Sequence, residues 1–212
     1  MVKSLLFKLS TVILISFIIF ISGCRKSPGH SPTQNQTFNQ EVAPEVQKTL
    51  SHKVQMLQTL VENKILIEEI INSNTSSKPY TQQEEIKCNL RWEKLEKQSP
   101  EVLALSFSKG ALLLKEFIKE NPEFDEIYTA NKNGQIVNAT GKNYIFCIRY
   151  QPWWNEVYNN GKGKIFIGKI RFDRSVIKIT FPIYVPIYDP QTKALIGICN
   201  AALSLDSVKE QL

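Results

Sequence analysis

Residues from which catalytic and metal centres are usually built are scarce in this sequence. Its only histidines are His30 and His52, and its four cysteines include no Cys-x-x-Cys pair. That spacing excludes a zinc or thioredoxin-like site and a covalently attached c-type haem. No Cys-His or Ser-His-Asp nucleophile system is visible either. We therefore predict a protein that is not an enzyme and that has no cofactor and no metal site.

Long apolar runs are also scarce, and the one that stands out covers residues 9–21. Lys3 and Lys8 precede it, and the small residues at 22–23 lead to Cys24. At about 1.5 Å per residue the run is too short to span ~30 Å of hydrocarbon comfortably. The segment resembles a bacterial lipoprotein signal, which is cut before a cysteine that is then acylated. An uncleaved membrane anchor and an ordinary secretory signal are the alternatives.

The lipoprotein resemblance implies a signal peptide over residues 1–23 and lipidation of Cys24, with palmitate among the acyl chains. Each buried methylene contributes about 0.8 kcal/mol, so several chains would hold the protein on a membrane, facing the periplasm or the cell exterior. Residues 24–42 are rich in Ser, Pro, Gln, Asn and Thr, which predicts a disordered tether behind the lipidated cysteine. The choice between inner and outer membrane stays open.

The chain has no strong excess of one charge, since its formal net charge is +6 with 42% hydrophobic and 22% charged residues. Lysines and acids alternate, which is typical of solvated helix faces. The densest basic spot, at 161–171, is interpreted as a solvated turn or a lipid-surface contact, and we predict no nucleic-acid binding. The composition suits one globular domain over residues 43–212.

The first half of that domain has helical patterns. Apolar residues recur near every third or fourth position from Pro44 to Asn72, which predicts one long amphipathic helix. Thr81 and Glu84 have the capping-box spacing of a second helix. Ser99-Pro100 begins a third helical region, which ends at Asn121-Pro122. The apolar stripe of the first helix suits either a parallel homodimer or burial against the chain's own sheet.

The second half has the period-2 alternation that predicts strands. Asn131 to Gly134 is a hairpin turn, with glycine where a positive φ is needed. Short connections make neighbouring strands antiparallel. The pattern therefore predicts an α+β fold, with long N-terminal helices packed on a five-stranded antiparallel sheet. The predicted strands are 126–130, 135–139, 164–172, 175–188 and 194–205, with a short helix at 152–159.

The order of these elements, together with four stretches of sequence, resembles extracytoplasmic Cache (PDC) sensor domains, which are PAS-like. The resemblance implies a helical stalk at about 43–120 and a PAS-like sheet at about 121–205. It also implies a small-molecule pocket between the sheet and the short helix. The four stretches are 125–142 with its turn, 152–158 with the Trp153-Trp154 pair, the glycine-bounded 161–168, and 179–189 with Pro182 and Pro186.

Most members of that family signal through a second transmembrane helix and a cytoplasmic output domain, and neither follows the last predicted strand before Leu212. We therefore expect this domain to act through a separate membrane signalling protein. The leading hypothesis is a lipid-anchored module that senses or binds a small molecule. The alternative is a structural or protein-interaction envelope lipoprotein that uses the same fold with a filled, ligand-free core.

The resemblance also indicates ligand-binding residues. Members that bind amino acids share an Arg-x-Trp-Tyr stretch and a later aspartate, and here those four positions hold Gln151, Trp153, Trp154 and Ala202. Because an ammonium group would lack its counter-charge, we expect a small carboxylate held by Arg149. The alternative is that both tryptophans belong to the core and Arg149 is solvated. The predicted ligand-binding set is Tyr144, Arg149, Trp153, Trp154, Asp173 and Tyr184.

Three cysteines, at 88, 147 and 199, remain once Cys24 carries lipid. Cys147 and Cys199 lie on or beside predicted strands and could form a disulfide. An odd count argues against a full disulfide framework, so buried free thiols are the alternative.

Overall fold

The computed structural model describes residues 37–38, by their backbone alone, and residues 41–210. The predicted signal peptide, Cys24 and most of the predicted tether lie outside these residues. The described residues all belong to one compact unit. None of the helices within the described ranges is both long and apolar enough to cross a membrane.

Seven helices and seven strands make up the described part of the chain, and most of the helices precede the sheet. The helices are α1 (Pro44–Val61), α2 (Lys64–Ser76), α3 (Gln82–Glu93), α4 (Pro100–Ser106), α5 (Lys109–Glu120), α6 (Trp154–Tyr158) and α7 (Leu205–Lys209). The strands are β1 (Thr37–Phe38), β2 (Phe124–Asn131), β3 (Ile136–Ala139), β4 (Phe166–Ile167), β5 (Arg171–Asp173), β6 (Lys178–Tyr188) and β7 (Leu195–Ser204).

The strand order is β1-β4-β6-β7-β2-β3, and β5 pairs with β6. Strands β4 and β5 pair with successive parts of β6, so together they form one interrupted antiparallel row, and β1 pairs in parallel with β4 on its outer side. The interruption lies at Pro182, whose carbonyl accepts from Gly168 N–H at 2.9 Å and whose own nitrogen cannot donate to that edge. The sheet therefore has five antiparallel rows, and the predicted α+β fold class is confirmed.

Alternate residues of the sheet face two separate cores. Cys199, Ala201 and Leu203 of β7 face a core built with α1, α2 and α5. Ile198 faces the opposite core, which includes Tyr184 and the residues of α6. Because side chains alternate along a strand, sequence neighbours on β6 and β7 contact different layers.

The predicted long first helix is wrong in one respect, because the structure divides it into α1 and α2. Asn63 between them has extended backbone angles, and its side-chain oxygen accepts from Ile65 N–H at 2.9 Å. Asparagine is a strong helix N-cap, so it starts a new helix without any change in the apolar period. The stripe itself packs on the chain's own sheet, with Leu50, Val54 and Leu57 at 0% exposure. Burial against the sheet is thus the arrangement that the structure contains; a homodimer stays a prediction.

Two local predictions are confirmed, and two other segments differ from expectation. The backbone of Thr37–Phe38, inside the predicted tether, pairs parallel with Phe166–Ile167. The capping box at Thr81 and Glu84 is present, and Gly134 in the predicted hairpin turn has φ +78°. The third helical region is divided into α4 and α5, because the Ser108 side chain caps α5 by accepting from Ala111 N–H at 3.0 Å.

Candidate functional site

A cavity of about 210 Å³ lies on the face of the sheet opposite α1 and α2. Its walls come from strands β2, β5 and β7 and from the loop that precedes α6. The loop is tied to the helical layer, since Trp92 Nε1 of α3 donates to the Asn143 carbonyl at 2.9 Å. The lining residues are Glu126, Tyr128, Asn143, Tyr144, Ile145, Gln151, Trp153, Arg171, Phe172, Asp173, Arg174, Ser175 and Asn200.

Two acids lie in this cavity, and one of them is buried. Glu126 is 6% exposed and lies directly opposite Ala202 in the β2–β7 register. Burial raises the pKa of the Glu126 carboxyl to about 8, and the negative charge of Asp173 adds to the rise. A hydrogen bond from Ser175 acts in the opposite direction. The cavity therefore contains an acid that is mostly protonated at neutral pH and that a bound cation would ionise.

Two arginines on the β5 side of the cavity supply positive charge. Arg171 Nη2 donates to Tyr184 Oη at 3.3 Å, and Arg174 Nη1 donates to Tyr144 Oη at 2.7 Å. The Arg174 guanidinium also lies over the Tyr144 ring, 4.1 Å from its centroid. Both guanidinium groups remain exposed enough to donate further hydrogen bonds, so the rim can hold an anionic group.

Asn143 offers an acceptor that the protein leaves without a partner. Its side-chain oxygen is buried and has no hydrogen-bond partner among the described residues. Buried polar atoms of this kind are almost always satisfied, by protein, water or ligand. Asn143 lines the cavity, and its Oδ1 is an acceptor that the described residues leave unused.

A second cavity, of about 470 Å³, adjoins the first and shares Gln151, Trp153 and Arg171 with it. The Trp153 ring stacks on Tyr184, with the ring centroids 4.1 Å apart. The other lining residues of this cavity are Pro152, Glu156, Phe166, Gly168, Lys169, Pro182 and Tyr184.

The structure brings four of the six predicted ligand-binding residues to these cavities. Tyr144, Trp153 and Asp173 line the first, and Tyr184 lines the second. Trp154 is 3% exposed, lines neither cavity and stacks on Tyr158 at a centroid distance of 5.5 Å. Trp154 therefore belongs to the core, which is the alternative that the sequence analysis gave for both tryptophans.

Arg149 also lies outside both cavities. It is near Glu85 of α3, whose carboxylate accepts hydrogen bonds from the backbone N–H groups of Arg149 and Tyr150. The backbone of Arg149 is held against Gly134 of the hairpin turn, where a Cβ on the glycine would meet Arg149 N at 2.6 Å. This packing keeps Arg149 away from the first cavity, which is lined by Arg171 and Arg174 instead.

The sequence predicted Asp173 in the cavity but not the buried acid Glu126, because the counter-charge was expected at the position of Ala202 on β7. Ala202 holds no charge, but Glu126 on the neighbouring strand lies beside it. The alternation of side chains along β2 could have indicated Glu126, because Glu126 and Tyr128 lie on the same face of the strand and both line the cavity. Within the described residues no group of three or more His, Cys, Asp and Glu side chains is arranged to hold a metal ion.

No protein-family model and no curated protein matches this sequence. Among solved structures, the chain is similar to the sensory domain of the Campylobacter jejuni chemoreceptor Tlp3 (CcmL) with isoleucine bound. The identity is 14%, the match covers 81% of this chain and 67% of that one, and the TM-score is 0.40. It is also similar to the E. coli DcuS sensor domain, with 19% identity, 60% and 92% coverage and a TM-score of 0.36.

A third similar structure is the sensor domain of the V. cholerae histidine kinase DctB. The identity is 9%, the match covers 77% of this chain and 60% of that one, and the TM-score is 0.40. All three are sensory domains, and both the sequence identity and the TM-score are low in each comparison.

Proposed function

We propose that this chain is an extracytoplasmic module of the Cache type that binds a small molecule and passes its state to a separate signalling protein. The observation that carries the proposal is the cavity beneath the loop before α6. It combines a buried acid, Glu126, with an unpartnered acceptor, Asn143 Oδ1, and two guanidinium groups. Ligand pockets typically combine apolar walls with a few convergent polar groups, and this set has that character.

The polar groups favour a small ligand that carries an anionic group and an N–H or O–H donor. Arg171 and Arg174 would receive the anionic group, which suits a carboxylate. Asn143 Oδ1 and the Glu126 carboxyl would accept from the donor, and an ammonium group there would have the counter-charge that Ala202 cannot supply. The cavity volume of about 210 Å³ equals roughly seven waters, so the ligand is small.

Attachment to a membrane through acyl chains on Cys24 is part of the same proposal, and it rests on the lipoprotein-like signal. An anchored module at the membrane surface meets a membrane signalling protein at high local concentration, so even a weak contact would transmit the ligand state. The structural or protein-interaction lipoprotein remains the competing function, and it requires that the cavity take no ligand.

The test is a thermal-shift screen of the purified full chain in mild detergent against carboxylates, amines, amino acids and sugars, followed by calorimetric titration of the hits. We expect a carboxylate-bearing hit whose affinity falls about 10- to 100-fold in Arg171→Ala, because a charge-assisted hydrogen bond is lost. Arg149→Ala is the matched control, since that arginine lies outside the cavity, and its affinity should not change. No hit in any class, or equal losses in both variants, would favour the structural lipoprotein.

A further inference from the structure

Cys88 and Cys147 lie side by side although they are 59 residues apart in the chain. Cys147 Sγ is 3.2 Å from Cys88 Sγ. Cys88 belongs to α3, and Cys147 belongs to the loop that precedes α6. Cys199, which the sequence suggested as a partner for Cys147, lies in the helix-side core instead.

The two backbones are held together independently of the sulfur atoms. Asn89, the residue after Cys88, accepts from the backbone N–H of Phe146 at 3.0 Å and of Cys147 at 2.8 Å. Its amide nitrogen donates to the Cys147 carbonyl at 2.8 Å. These three hydrogen bonds fix the position of the loop against α3, and this position brings the two thiols next to each other. A bond between them needs the sulfurs to approach by about 1.2 Å, since a disulfide is about 2.05 Å long.

One of the two thiols is accessible and reactive, and the other is not. Cys88 is half-buried and lines a cavity of about 170 Å³ with Arg91 and Phe146. The S–H of Cys147 donates to Cys88 and lowers the pKa of Cys88 to about 7, and the charge of Arg91 also lowers it. The same contact and burial raise the pKa of Cys147. Cys88 is thus the thiolate that a reagent in this cavity would meet first.

We propose that Cys88 and Cys147 form a reversible disulfide by exchange with a disulfide-bearing oxidant, either a small-molecule disulfide or an oxidised dithiol protein. The Cys88 thiolate attacks one sulfur of the oxidant, which gives a mixed disulfide and releases one thiolate. Cys147 then loses its proton, attacks Cys88 Sγ and expels the second thiolate. The dithiol is oxidised by two electrons, and the oxidant is reduced to two thiols.

The disulfide would join α3 to the segment that carries Asn143, Tyr144 and Ile145 into the cavity. In the reduced protein this segment is held by non-covalent contacts, namely the hydrogen bonds of Asn89 and Trp92 and the packing of Phe146 on Trp92. In the oxidised protein it would be covalently tethered as well. The redox state would therefore set how freely that wall of the cavity opens. Formation of the bond does not depend on whether the cavity binds a ligand.

The test uses the purified full chain carrying Cys24→Ser, in detergent, equilibrated with glutathione disulfide or with dithiothreitol. The remaining thiols are then alkylated, and the digest is analysed by mass spectrometry without reduction. We expect one peptide pair that joins Cys88 to Cys147, with Cys199 alkylated. Hydrogen exchange of residues 143–148 should slow by about tenfold on oxidation.

Two variants make the result decisive. Cys199→Ser should form the same linked pair, and Cys88→Ser should form none while leaving Cys147 free. The proposal is overturned if the oxidised Cys24→Ser protein, with no further substitution, carries alkyl groups on all three of its cysteines. It is also overturned if Cys147 links to Cys199, or if Cys88 stops at a stable glutathione adduct.

Discussion

The ring of Trp153 stacks on that of Tyr184, with centroids 4.1 Å apart and planes inclined by 26°. Trp153 lines both cavities, and Tyr184 is fully buried on β6 with its hydroxyl accepting from Arg171. The pair therefore joins the loop before α6 to the sheet at the boundary between the two cavities. Offset stacking of this kind contributes about 0.5–1.5 kcal/mol beyond the burial of the rings.

Trp153→Ala should abolish the ligand-induced thermal shift while leaving the protein folded, because Trp153 is only partly buried. The expected loss of unfolding free energy is about 1–2 kcal/mol, below the value for a core tryptophan. Trp153→Phe, which keeps a ring over Tyr184, is the control and should retain binding. A Trp153→Ala protein with an unchanged ligand shift would contradict the placement of the site.

Trp154→Ala should behave differently from Trp153→Ala, since Trp154 is 3% exposed and packed in the core. We expect a loss of about 3–5 kcal/mol in unfolding free energy, measured by urea denaturation. Any fall in ligand affinity should disappear when the fraction of folded protein is taken into account. A loss of less than about 1 kcal/mol would show that the ring is not a core element.

Glu126 should make the protein less stable as the pH rises. Its pKa is about 8 in the folded chain, against an ordinary value of 4.5. Between these values the folded state keeps the proton and the unfolded state loses it, so stability falls by up to about 1.4 kcal/mol per pH unit and levels off above pH 8. Urea denaturation of wild type and Glu126→Gln at several pH values measures this.

The difference between the two proteins isolates the carboxyl group, since all other titrating groups are shared. Glu126→Gln should be the more stable protein at pH 8, and the two curves should converge near pH 5. Asp173→Asn should narrow the pH range over which stability falls, because it removes the negative charge that adds to the rise of the Glu126 pKa. Parallel curves for wild type and Glu126→Gln would show that Glu126 titrates normally.

Gly134→Ala should destabilise the β2–β3 hairpin. Gly134 has φ +78°, and a Cβ there would lie 2.6 Å from Arg149 N. Left-handed backbone and steric overlap together should cost about 2–3 kcal/mol. Gly141→Ala is the matched control, because a Cβ there has no neighbour within 4 Å. Thermal denaturation of the two variants should separate them clearly; equal midpoints would argue against the turn geometry.

Cys24→Ser should leave an unprocessed precursor, because the lipoprotein-like signal needs the cysteine for acylation and cleavage. Wild-type protein should take up a fatty-acid probe and remain with the membrane fraction, which in-gel fluorescence and fractionation would measure. Lys8→Arg, which keeps the basic charge before the apolar run, should be processed normally. Unlabelled, soluble wild-type protein would end the lipid-anchor proposal.

Local chemistry made much of the fold predictable. The Thr81–Glu84 capping box, the Asn131–Gly134 turn and the period-2 strands are set by residues close in sequence. All are present, except that the single strand predicted at 164–172 is divided into β4 and β5. The break at Asn63 was missed because an N-cap leaves the apolar period intact. The pairing is interrupted between β4 and β5 because of Pro182, which lies on β6. The sequence of residues 164–172 alone does not indicate this interruption.

The candidate site was predictable only in part, because it depends on contacts between distant segments. The resemblance to Cache domains indicated the aromatic residues Tyr144, Trp153 and Tyr184, and all three line the cavities. Arg149 is carried away by packing of its backbone on Gly134, and Glu126 enters through the β2–β7 register. The proximity of Cys88 and Cys147 depends on three hydrogen bonds of one asparagine, which the spacing of the cysteines cannot indicate.

The β7 strand separates two parts of the interior, with the first cavity on one face and the helix-side core on the other. Asn200 faces the cavity, while Cys199 and Ala201 on either side of it are packed beneath the helices. The N-terminal part of β7 is also hydrogen-bonded to α2, since Asn74 Nδ2 donates to the Ile196 carbonyl at 2.7 Å. A closely packed interior does not absorb small displacements. A displacement of β7 at Asn200 would therefore also displace the neighbouring residues of β7 that pack against α1 and α2, which would couple the cavity to the helices.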